Sequence, residues 1–305
     1  MLLPPKRATP PKPKALSLWE EPNPTEPQTV ELVVLASSSA GNCSLLLRGE
    51  GRCRRITLLD AGLSPLRVRR YLATLGLGLE RIDDVLLTHL DQDHCHPGWV
   101  KQLPPHAKLR IFERHRGRAS RAGLLKRRTD IFSDEPFHIS GNLHITPIHL
   151  SHDSLGVVAF RIDLPTPVPD TAPTSLGYAT DLGRPTEQLV TTLARVDVLA
   201  IESNYCPHLQ AASDRPEFVK RRITDGGGHL SNEQCAEAVR AIAPQREVVL
   251  LHLSRQCNTP DRAAAHHHNQ PYRLTIAHHQ DPTSPIPISS ESCAASSSET
   301  PQRLG

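Results

Sequence analysis

Residues 86–94 read Leu-Leu-Thr-His-Leu-Asp-Gln-Asp-His, an apolar run that passes directly into a cluster of metal-ligand side chains. His89, Asp91, Asp93 and His94 supply two imidazoles and two carboxylates within six residues. A strand end can hold such side chains rigidly while the following loop folds them around an ion. This mixture of nitrogen and oxygen ligands suits zinc, manganese or iron. The stretch therefore predicts a metal centre at the end of a buried strand, rather than a polar surface turn.

Other ligand-type side chains follow apolar runs at several later points of the chain. Asp60 lies in the string Leu59-Asp60-Ala61-Gly62, and His152 lies in a His-Leu-Ser-His string. Asp181 follows the run Gly177–Thr180, and His252 follows the run Val248–Leu251. The order and context of these segments resemble the metallo-β-lactamase fold family. The metal motif of that family is HxHxDH, whereas this chain reads HxDxDH with Asp91 at the second histidine.

Shorter strings narrow the resemblance to one branch of the family. The chain carries Ser37–Cys43, Ile201–Asn204, the string GHLSN at residues 228–232, and LHLS at residues 251–254. This combination resembles the YycJ/WalJ-type branch, whose members include a metal-dependent 5′→3′ exonuclease. The resemblance extends over roughly residues 30 to 280. It implies an αββα four-layer sandwich, with two sheets inside and helices outside.

The resemblance also implies two divalent metal ions, either Zn or Mn, with Fe as a further possibility. One ion would be bound by His89, Asp91 and His152. The other would be bound by Asp93, His94 and His252, with Asp181 bridging the pair. Asp91 is the departure from the family. Because a carboxylate is harder than an imidazole, it would shift the preference toward Mn or Fe, or leave one position weakly filled.

The implied chemistry is hydrolysis of a phosphodiester by a metal-bridged hydroxide, which needs no protein nucleophile. The candidate catalytic residues are Asp93 and His229. His229 follows the glycines 226–228 and precedes a predicted helix, where it would protonate the leaving oxygen or hold a phosphate. Ser231 and Asn232 are candidate substrate-binding residues, although Ser231 also has the spacing of a helix N-cap.

Composition excludes several classes of protein. The 305 residues carry 35 Lys and Arg against 32 Asp and Glu, which excludes a polycationic nucleic-acid coat protein and an acidic disordered protein. No apolar run approaches the roughly 18 residues of a membrane span, so no membrane partner is expected. The seven cysteines form no CxxC pair, which argues against a disulfide framework or a Cys₄ zinc site. These features predict a soluble, cytoplasmic protein.

Basic residues are locally concentrated even though the total charge is nearly balanced. Residues 108–128 contain nine Lys and Arg and a single acid, Glu113, and a second basic cluster spans Lys220–Arg222. A basic helix beside the metal site would suit the phosphate backbone of DNA. A solvated basic face is the alternative. DNA is therefore the predicted partner and substrate, while the oligomeric state leaves no mark in the sequence.

The proline-rich ends define the expected domain limits. Residues 1–28 and 281–305 are predicted to be disordered extensions, and residues 29–280 to form one hydrolase domain. The predicted strands are Val30–Ala36, Arg55–Asp60, Val85–Thr88, Asn142–Thr146, Val157–Ile162, Leu176–Thr180, Asp197–Glu202 and Glu247–His252. The predicted helices are Pro65–Leu75, Pro185–Ala194 and Asn232–Ala243.

The sequence-based hypothesis is thus a metal-dependent phosphodiester hydrolase, acting on DNA as an exonuclease. Polarity from 5′ to 3′ follows from the resemblance alone. Two alternatives stay open at this point. One is a hydrolase of a small phosphodiester, thioester or lactone on the same fold, because fold does not determine substrate. The other is a non-catalytic nucleic-acid-binding homologue, in which Asp91 has disabled the metal site.

Overall fold

The computed structural model describes residues 29–152, 154–166 and 172–288. The predicted extension 1–28 and residues 289–305 of the predicted tail lie outside the described residues. The first six strands along the chain belong to the first sheet. They are β1 (Val30–Ala36), β2 (Cys43–Arg48), β3 (Arg55–Leu59), β4 (Ile82–Leu86), β5 (Lys108–Phe112) and β6 (Thr129–Phe132). The second sheet contains β7 (Phe137–Ile139), β8 (Leu143–Leu150), β9 (Val157–Asp163), β10 (Ser175–Ala179), β11 (Val198–Glu202), β12 (Glu247–Leu251) and β13 (Arg273–Ile276). A last strand, β14 (Ile286–Pro287), returns to the first sheet.

Both sheets combine antiparallel and parallel pairs. In the first sheet the order is β14-β1-β2-β3-β4-β5-β6, and the pairs from β3 to β6 are parallel. In the second sheet the order is β13-β12-β11-β10-β9-β8-β7, and the pairs from β10 to β13 are parallel. Parallel neighbours end at the same edge of a sheet, and this brings the residues that follow several strands close together.

Eight described helices connect or cover the strands. They are α1 (Pro65–Thr74), α2 (Trp99–Gln102), α3 (Arg116–Arg121), α4 (Glu187–Thr192), α5 (Pro207–Ala212), α6 (Glu217–Thr224), α7 (Asn232–Ile242) and α8 (Pro260–Ala264). The side chain of Ser64 accepts a hydrogen bond from the backbone N–H of Arg67 and caps the start of α1. Ser231 caps α7, as its spacing predicted, and forms a capping box with Gln234.

Three apolar cores separate four layers. Alternate residues of a strand point to opposite faces, so Val33 and Leu35 of β1 pack with Val68 of α1. Leu32 of β1 instead packs against Phe160 of the second sheet. The outer face of the second sheet forms the third core with the apolar residues of α4 and α7. This arrangement confirms the predicted αββα sandwich.

Two expectations about local structure need correction. Residues 281–288 belong to the folded part, because Leu32 of β1 pairs with Ile286 of β14 and the backbone N–H of Ile288 donates to the carbonyl of Val30. The basic segment 108–128 is not one helix. It begins as strand β5, in which Arg110 is buried and its Nε lies 2.8 Å from Oδ1 of Asp84.

Candidate metal centre

The candidate site lies at the edge where parallel strands of both sheets end. Asp60 directly follows β3, His89 follows β4, and Asp181 follows β10. Glu202 is the last residue of β11, and His252 directly follows β12. Each of these five side chains is buried. The topology therefore gathers acids and imidazoles that are up to 192 residues apart in sequence (from Asp60 to His252).

Three of these residues adopt left-handed backbone conformations. The φ angles are 58° for Asp60, 54° for Asp181 and 55° for His252. Such values are uncommon for residues other than glycine, and they tend to occur where function requires a particular side-chain direction. In each case the chain turns abruptly at the strand end and keeps the side chain inside the site.

The loop that follows β4 is held by the loops that follow β1 and β3. The backbone N–H of Ala61 donates to the carbonyl of His94 at 2.8 Å, and that of Asn42 donates to the carbonyl of Asp93 at 2.7 Å. A Cβ on Gly62 would lie 1.7 Å from the carbonyl oxygen of Asp93, so only glycine fits this close approach. In the Leu-Asp-Ala-Gly string, Ala61 and Gly62 thus hold the loop that carries Asp93 and His94 in place.

Asp60 orients His94 by contacting Nδ1, the ring nitrogen that is not available to a metal. Oδ2 of Asp60 lies 2.8 Å from Nδ1 of His94, while Oδ1 accepts a hydrogen bond from the backbone N–H of Thr88 at 2.9 Å. Burial disfavours the charged form of His94. The carboxylates of Asp181 and Asp60 outweigh burial and hold the pKa of His94 well above its usual value. With Nδ1 occupied by Asp60, Nε2 of His94 faces the acids of the site.

The first predicted triad comes together in the structure. Ligand atoms of His89, Asp91 and His152 all lie within 4.8 Å of one another. Nδ1 of His89 lies 3.0 Å from Oγ1 of Thr88, and Nδ1 of His152 lies 3.0 Å from the carbonyl oxygen of Gly228. These contacts leave Nε2 of each imidazole for the site. Burial and the neighbouring His94 lower the pKa of His89 well below its usual value, which favours the neutral, metal-binding form.

The second predicted triad also comes together. Ligand atoms of Asp93, His94 and His252 lie within 4.8 Å of one another. Oδ2 of Asp93 lies 3.7 Å from Nε2 of His94 and 3.7 Å from Nε2 of His252. These separations exceed hydrogen-bond length, so the three ligand atoms surround a small space without pairing directly.

Asp181 lies between the two triads. Its Oδ2 is 2.6 Å from Nε2 of His94 and 3.4 Å from Nε2 of His89, and its Oδ1 is 2.6 Å from Nδ1 of His252. Burial favours the protonated acid. The neighbouring His252 and His94 outweigh burial and hold the pKa of Asp181 well below its usual value. A buried carboxylate in this position can contact both triads at once.

Two buried nitrogens test whether these residues fit divalent ions. Nε2 of His89 and Nε2 of His252 are inaccessible and have no hydrogen-bond partner within the described parts of the chain. An unpaired buried polar atom is costly, and such atoms usually have a protein, water or metal partner. The two orphaned nitrogens belong to different triads. The residues therefore fit a divalent cation at each triad.

Asp91, at the position of the second family histidine, also pairs with an arginine. Oδ1 of Asp91 lies 2.6 Å from Nη1 of Arg118 in α3, whereas its Oδ2 lies 3.8 Å from Nε2 of His89. The two oxygens of this carboxylate thus face in different directions. One contacts the basic segment and the other remains with the first triad.

Glu202 is the site residue to which the sequence assigned no role. Its Oε1 lies 2.7 Å from Nδ1 of His229 and 3.1 Å from Nδ1 of His252, and its Oε2 accepts from the backbone N–H of Leu182 at 2.7 Å. Burial disfavours the imidazolium form of His229. The Glu202 and Asp181 carboxylates outweigh burial and raise the pKa of His229 to about 9. The string Ile201–Asn204 was the signal available in the sequence.

The predicted substrate-binding role of Ser231 and Asn232 does not fit their contacts. Ser231 Oγ accepts the backbone N–H of Gln234 as the cap of α7. Asn232 is buried, and its side chain bonds to Ser203 and Asn258. Both side chains are used inside the fold, so we assign them no contact with substrate.

The glycines before His229 also have a structural use. A Cβ on Gly228 would lie 2.3 Å from the carbonyl oxygen of Arg222 in α6. The close approach that Gly228 permits is therefore to a helix of the same chain.

A cleft of about 220 Å³ opens over the candidate ligands. Its walls include Asp91, Asp93, His152, Asp181, His229 and His252, and helix α6 forms one side. In the described parts of the chain, every helix is too short or too polar to cross a lipid bilayer. The fold and the buried cluster of acids and histidines at the edge of the two sheets define a metal-dependent hydrolase of the metallo-β-lactamase fold.

Comparisons with known proteins agree with this class. Residues 54–253 match the Beta-lactamase superfamily domain, and the chain belongs to that superfamily. It is 26% identical over 236 residues to exodeoxyribonuclease WalJ of Streptococcus pneumoniae, covering 75% of this chain and 84% of the relative. It is 24% identical over 242 residues to exodeoxyribonuclease YycJ of Bacillus anthracis, with the same coverage. The metallo-β-lactamase fold protein YhfI of Bacillus subtilis superposes with a TM-score of 0.59 at 17% identity, covering 85% of this chain and 100% of YhfI.

Proposed function

We propose that this chain is a metal-dependent phosphodiesterase that degrades DNA as an exonuclease, in the 5′→3′ direction. The observation that carries the proposal is the pair of ligand triads joined by Asp181, each with an orphaned buried nitrogen. Two relatives that align with three quarters of the chain are named exodeoxyribonucleases, and this supports DNA as the substrate. The direction of degradation is taken from the family resemblance.

We assign the metal-binding role to the residues that surround these nitrogens. His89, Asp91 and His152 would hold one ion, Asp93, His94 and His252 would hold the other, and Asp181 would contact both. When bound, the divalent ions would supply Lewis-acid polarisation of a phosphoryl oxygen and increase the acidity of water. Zn and Mn are the proposed metals, and the carboxylate of Asp91 favours Mn or Fe over Zn at the first position.

His229 has the position of a group that assists the leaving oxygen. Glu202 holds its Nδ1 at 2.7 Å, which leaves Nε2 as the ring nitrogen for a substrate in the cleft. Nε2 would donate its proton, or a hydrogen bond, to the oxygen that departs from phosphorus. Asp93, whose Oδ2 lies 3.7 Å from Nε2 of His94 and of His252, would accept the proton of the attacking water.

Several residues prepare the site without touching the substrate. Asp60 holds Nδ1 of His94, and Glu202 holds both His229 and His252. Partners of this kind keep ligand rings in one orientation, and their loss commonly costs 10- to 100-fold in metal affinity or activity. We therefore treat Asp60 and Glu202 as positioning residues.

The proposal is tested with short linear duplexes labelled at either the 5′ or the 3′ end, incubated with Mn²⁺ or Zn²⁺. A 5′→3′ exonuclease releases a 5′ label at once as a small product and shortens a 3′-labelled strand progressively. Asp181→Ala should abolish both changes. Asp163→Ala is the matched control, because Asp163 is a carboxylate paired with Arg161 outside the site.

Other results would overturn parts of the proposal. Cleavage of a covalently closed circle would replace the exonuclease by an endonuclease. Intact DNA together with hydrolysis of bis-p-nitrophenyl phosphate would identify a small phosphodiester as the substrate class. Undiminished activity of Asp181→Ala at saturating metal would exclude a shared ligand between two ions.

A further inference from the structure

Helix α6 lies beside the catalytic cleft but contributes no buried residue to the core. Val219, Arg222 and Ile223 line the cleft, and these positions share one face of the helix because they are three and four residues apart. An amphipathic helix of this kind normally packs its apolar stripe against the protein. Here the stripe borders an open cavity instead.

The carboxyl end of α6 is attached to the loop that carries His229. The backbone N–H of His229 donates to the carbonyl of Ile223 at 3.0 Å, and Gly228 is in close contact with the helix backbone. A group bound by α6 would therefore be held at a fixed offset from the catalytic histidine.

Phe218, near the start of α6, is the most exposed of the large apolar side chains in the described residues. Its relative exposure is 74%, compared with 49% for Leu66 and 37% for Ile131. Phe218 precedes Arg222 by four residues, so the two side chains are neighbours on the helix surface. An exposed aromatic ring thus lies one helical turn before a cation that lines the cleft.

The charge of this surface is positive. Lys220, Arg221 and Arg222 are consecutive, and the one ion pair within the described helix joins Arg221 to Glu217 at 3.8 Å. Nζ of Lys220 donates to the carbonyl of Ala211. The Arg222 guanidinium has neither a hydrogen bond nor an ion pair within the described ranges, so it can bind an anion at no cost to the fold.

We propose that α6 is the contact surface for the DNA strand that enters the site, with Phe218 stacking on an unpaired base and Arg222 binding the backbone phosphate next to the one being cut. This inference rests on the proposed function and assigns its substrate-binding element. Aromatic stacking together with cations along the backbone is the usual chemistry of single-strand binding. The strand would be held by its terminal, unpaired nucleotides, which is the form in which an exonuclease meets an end.

The test measures binding and cleavage of the same labelled single strand. Binding is followed by fluorescence anisotropy in EDTA, so that it does not depend on turnover. Phe218→Ala and Phe218→Leu should each raise Kd about 10-fold, and Phe218→Trp should restore tight binding, because stacking requires a ring. Leu66→Ala is the matched control, since Leu66 is an exposed apolar side chain of α1 remote from the cleft lining. It should bind as the wild type does.

Two further measurements separate the roles of the two side chains. Arg222→Gln should reduce the slope of log Kd against log salt by about 0.7, the value for one lost phosphate contact on a single strand. With Phe218→Ala, the ratio of kcat/KM on DNA to that on bis-p-nitrophenyl phosphate should fall about 10-fold, because the small substrate has no base to stack. Thermal melting of each variant confirms that it is folded.

Each outcome has a distinct meaning. If the wild type binds and degrades DNA and Phe218→Ala binds equally well, the role of α6 is wrong while the proposed function stands. If Phe218→Leu binds as well as Phe218→Trp, the ring acts as apolar bulk and not by stacking. If the wild type neither binds nor cleaves DNA, the proposed function fails and this inference fails with it.

Discussion

Arg118 and Asp91 form an ion pair at the mouth of the candidate metal centre, with Nη1 and Oδ1 separated by 2.6 Å. Both side chains are about one-third exposed. A histidine in place of Asp91 would bring no charge, whereas the carboxylate comes with a cation that offsets it. The aspartate that replaces the family histidine is therefore paired with Arg118, and its negative charge in the first triad is balanced by that arginine.

The first prediction concerns the metal preference that follows from this pair. Asp91→His should raise the affinity for Zn²⁺ relative to Mn²⁺ by about 10-fold, because imidazole is the softer ligand. Titration calorimetry of the metal-free protein with each ion measures the ratio. Asp163→His is the control, because Asp163 also pairs with an arginine but lies outside the triads. An unchanged ratio would mean that Asp91 is not a ligand.

The second prediction concerns the effect of metal on stability. A ligand that binds the folded state alone stabilises it, by about 2.7 kcal/mol when present at 100 times its Kd. Mn²⁺ or Zn²⁺ should therefore raise the Tm of the metal-free protein, and Asp181→Asn should remove most of that rise, because Asp181 contacts ligands of both triads. Differential scanning fluorimetry with and without metal measures the change in Tm of each protein. An equal rise in both proteins would place the bound metal elsewhere.

The third prediction concerns the buried acid Glu202. Glu202→Ala leaves His229, His252 and the backbone N–H of Leu182 without their acceptor, and removing one member of a buried charged network costs about 3–5 kcal/mol. Urea denaturation of the metal-free protein measures the loss. Glu237→Ala, at an exposed position of α7, should change the unfolding free energy by less than about 0.5 kcal/mol. Equal effects of the two substitutions would contradict the network.

The fourth prediction concerns pH and His267, which belongs to none of the candidate ligand groups. Burial, His266 and Arg240 lower the pKa of His267 to about 4, below the usual value of about 6.5. Between pH 6.5 and 4, His267 binds a proton in the unfolded chain but not in the folded chain. The folded state is therefore fully favoured by this group above pH 6.5, and its free energy of unfolding decreases as the pH falls toward 4. His267→Gln should flatten the fall of Tm from pH 6.5 to 4. Parallel curves for the two proteins would show that another group causes the acid loss.

Part of the candidate site was predictable because ligand-type side chains come soon after apolar runs of the sequence. The local pattern predicted His89, whereas the ligand roles of Asp181 and His252 were inferred from the family resemblance. Glu202 was not predictable in the same way. Glu202 contacts His229 because β11 ends beside the loop that carries this histidine. The two residues are distant in sequence, so a local sequence pattern cannot predict their contact.

Strands β2 and β5 were absent from the predicted strands for two different physical reasons. Every residue of β2 is buried, so it lacks the alternation of a half-exposed strand. Strand β5 contains Lys108 and Arg110, which suggested a solvated helix. In the structure, acids of the neighbouring strands neutralise Arg110, since Asp84 and Asp130 each lie 2.8 Å from it. A charge pattern alone cannot reveal partners contributed by other strands.

The short strand β14 has a consequence for how the chain behaves in concentrated solution. Val34 exchanges hydrogen bonds with Thr283, and the backbone N–H of Ile288 donates to Val30, so residues 283–288 cover the outer side of β1. Without them, β1 would present a row of unpaired amide and carbonyl groups flanked by apolar side chains. Such an open edge recruits strands from other molecules and promotes aggregation. Trimming the chain at residue 280, where its composition first turns rich in proline and serine, is therefore expected to expose β1 and promote self-association through it.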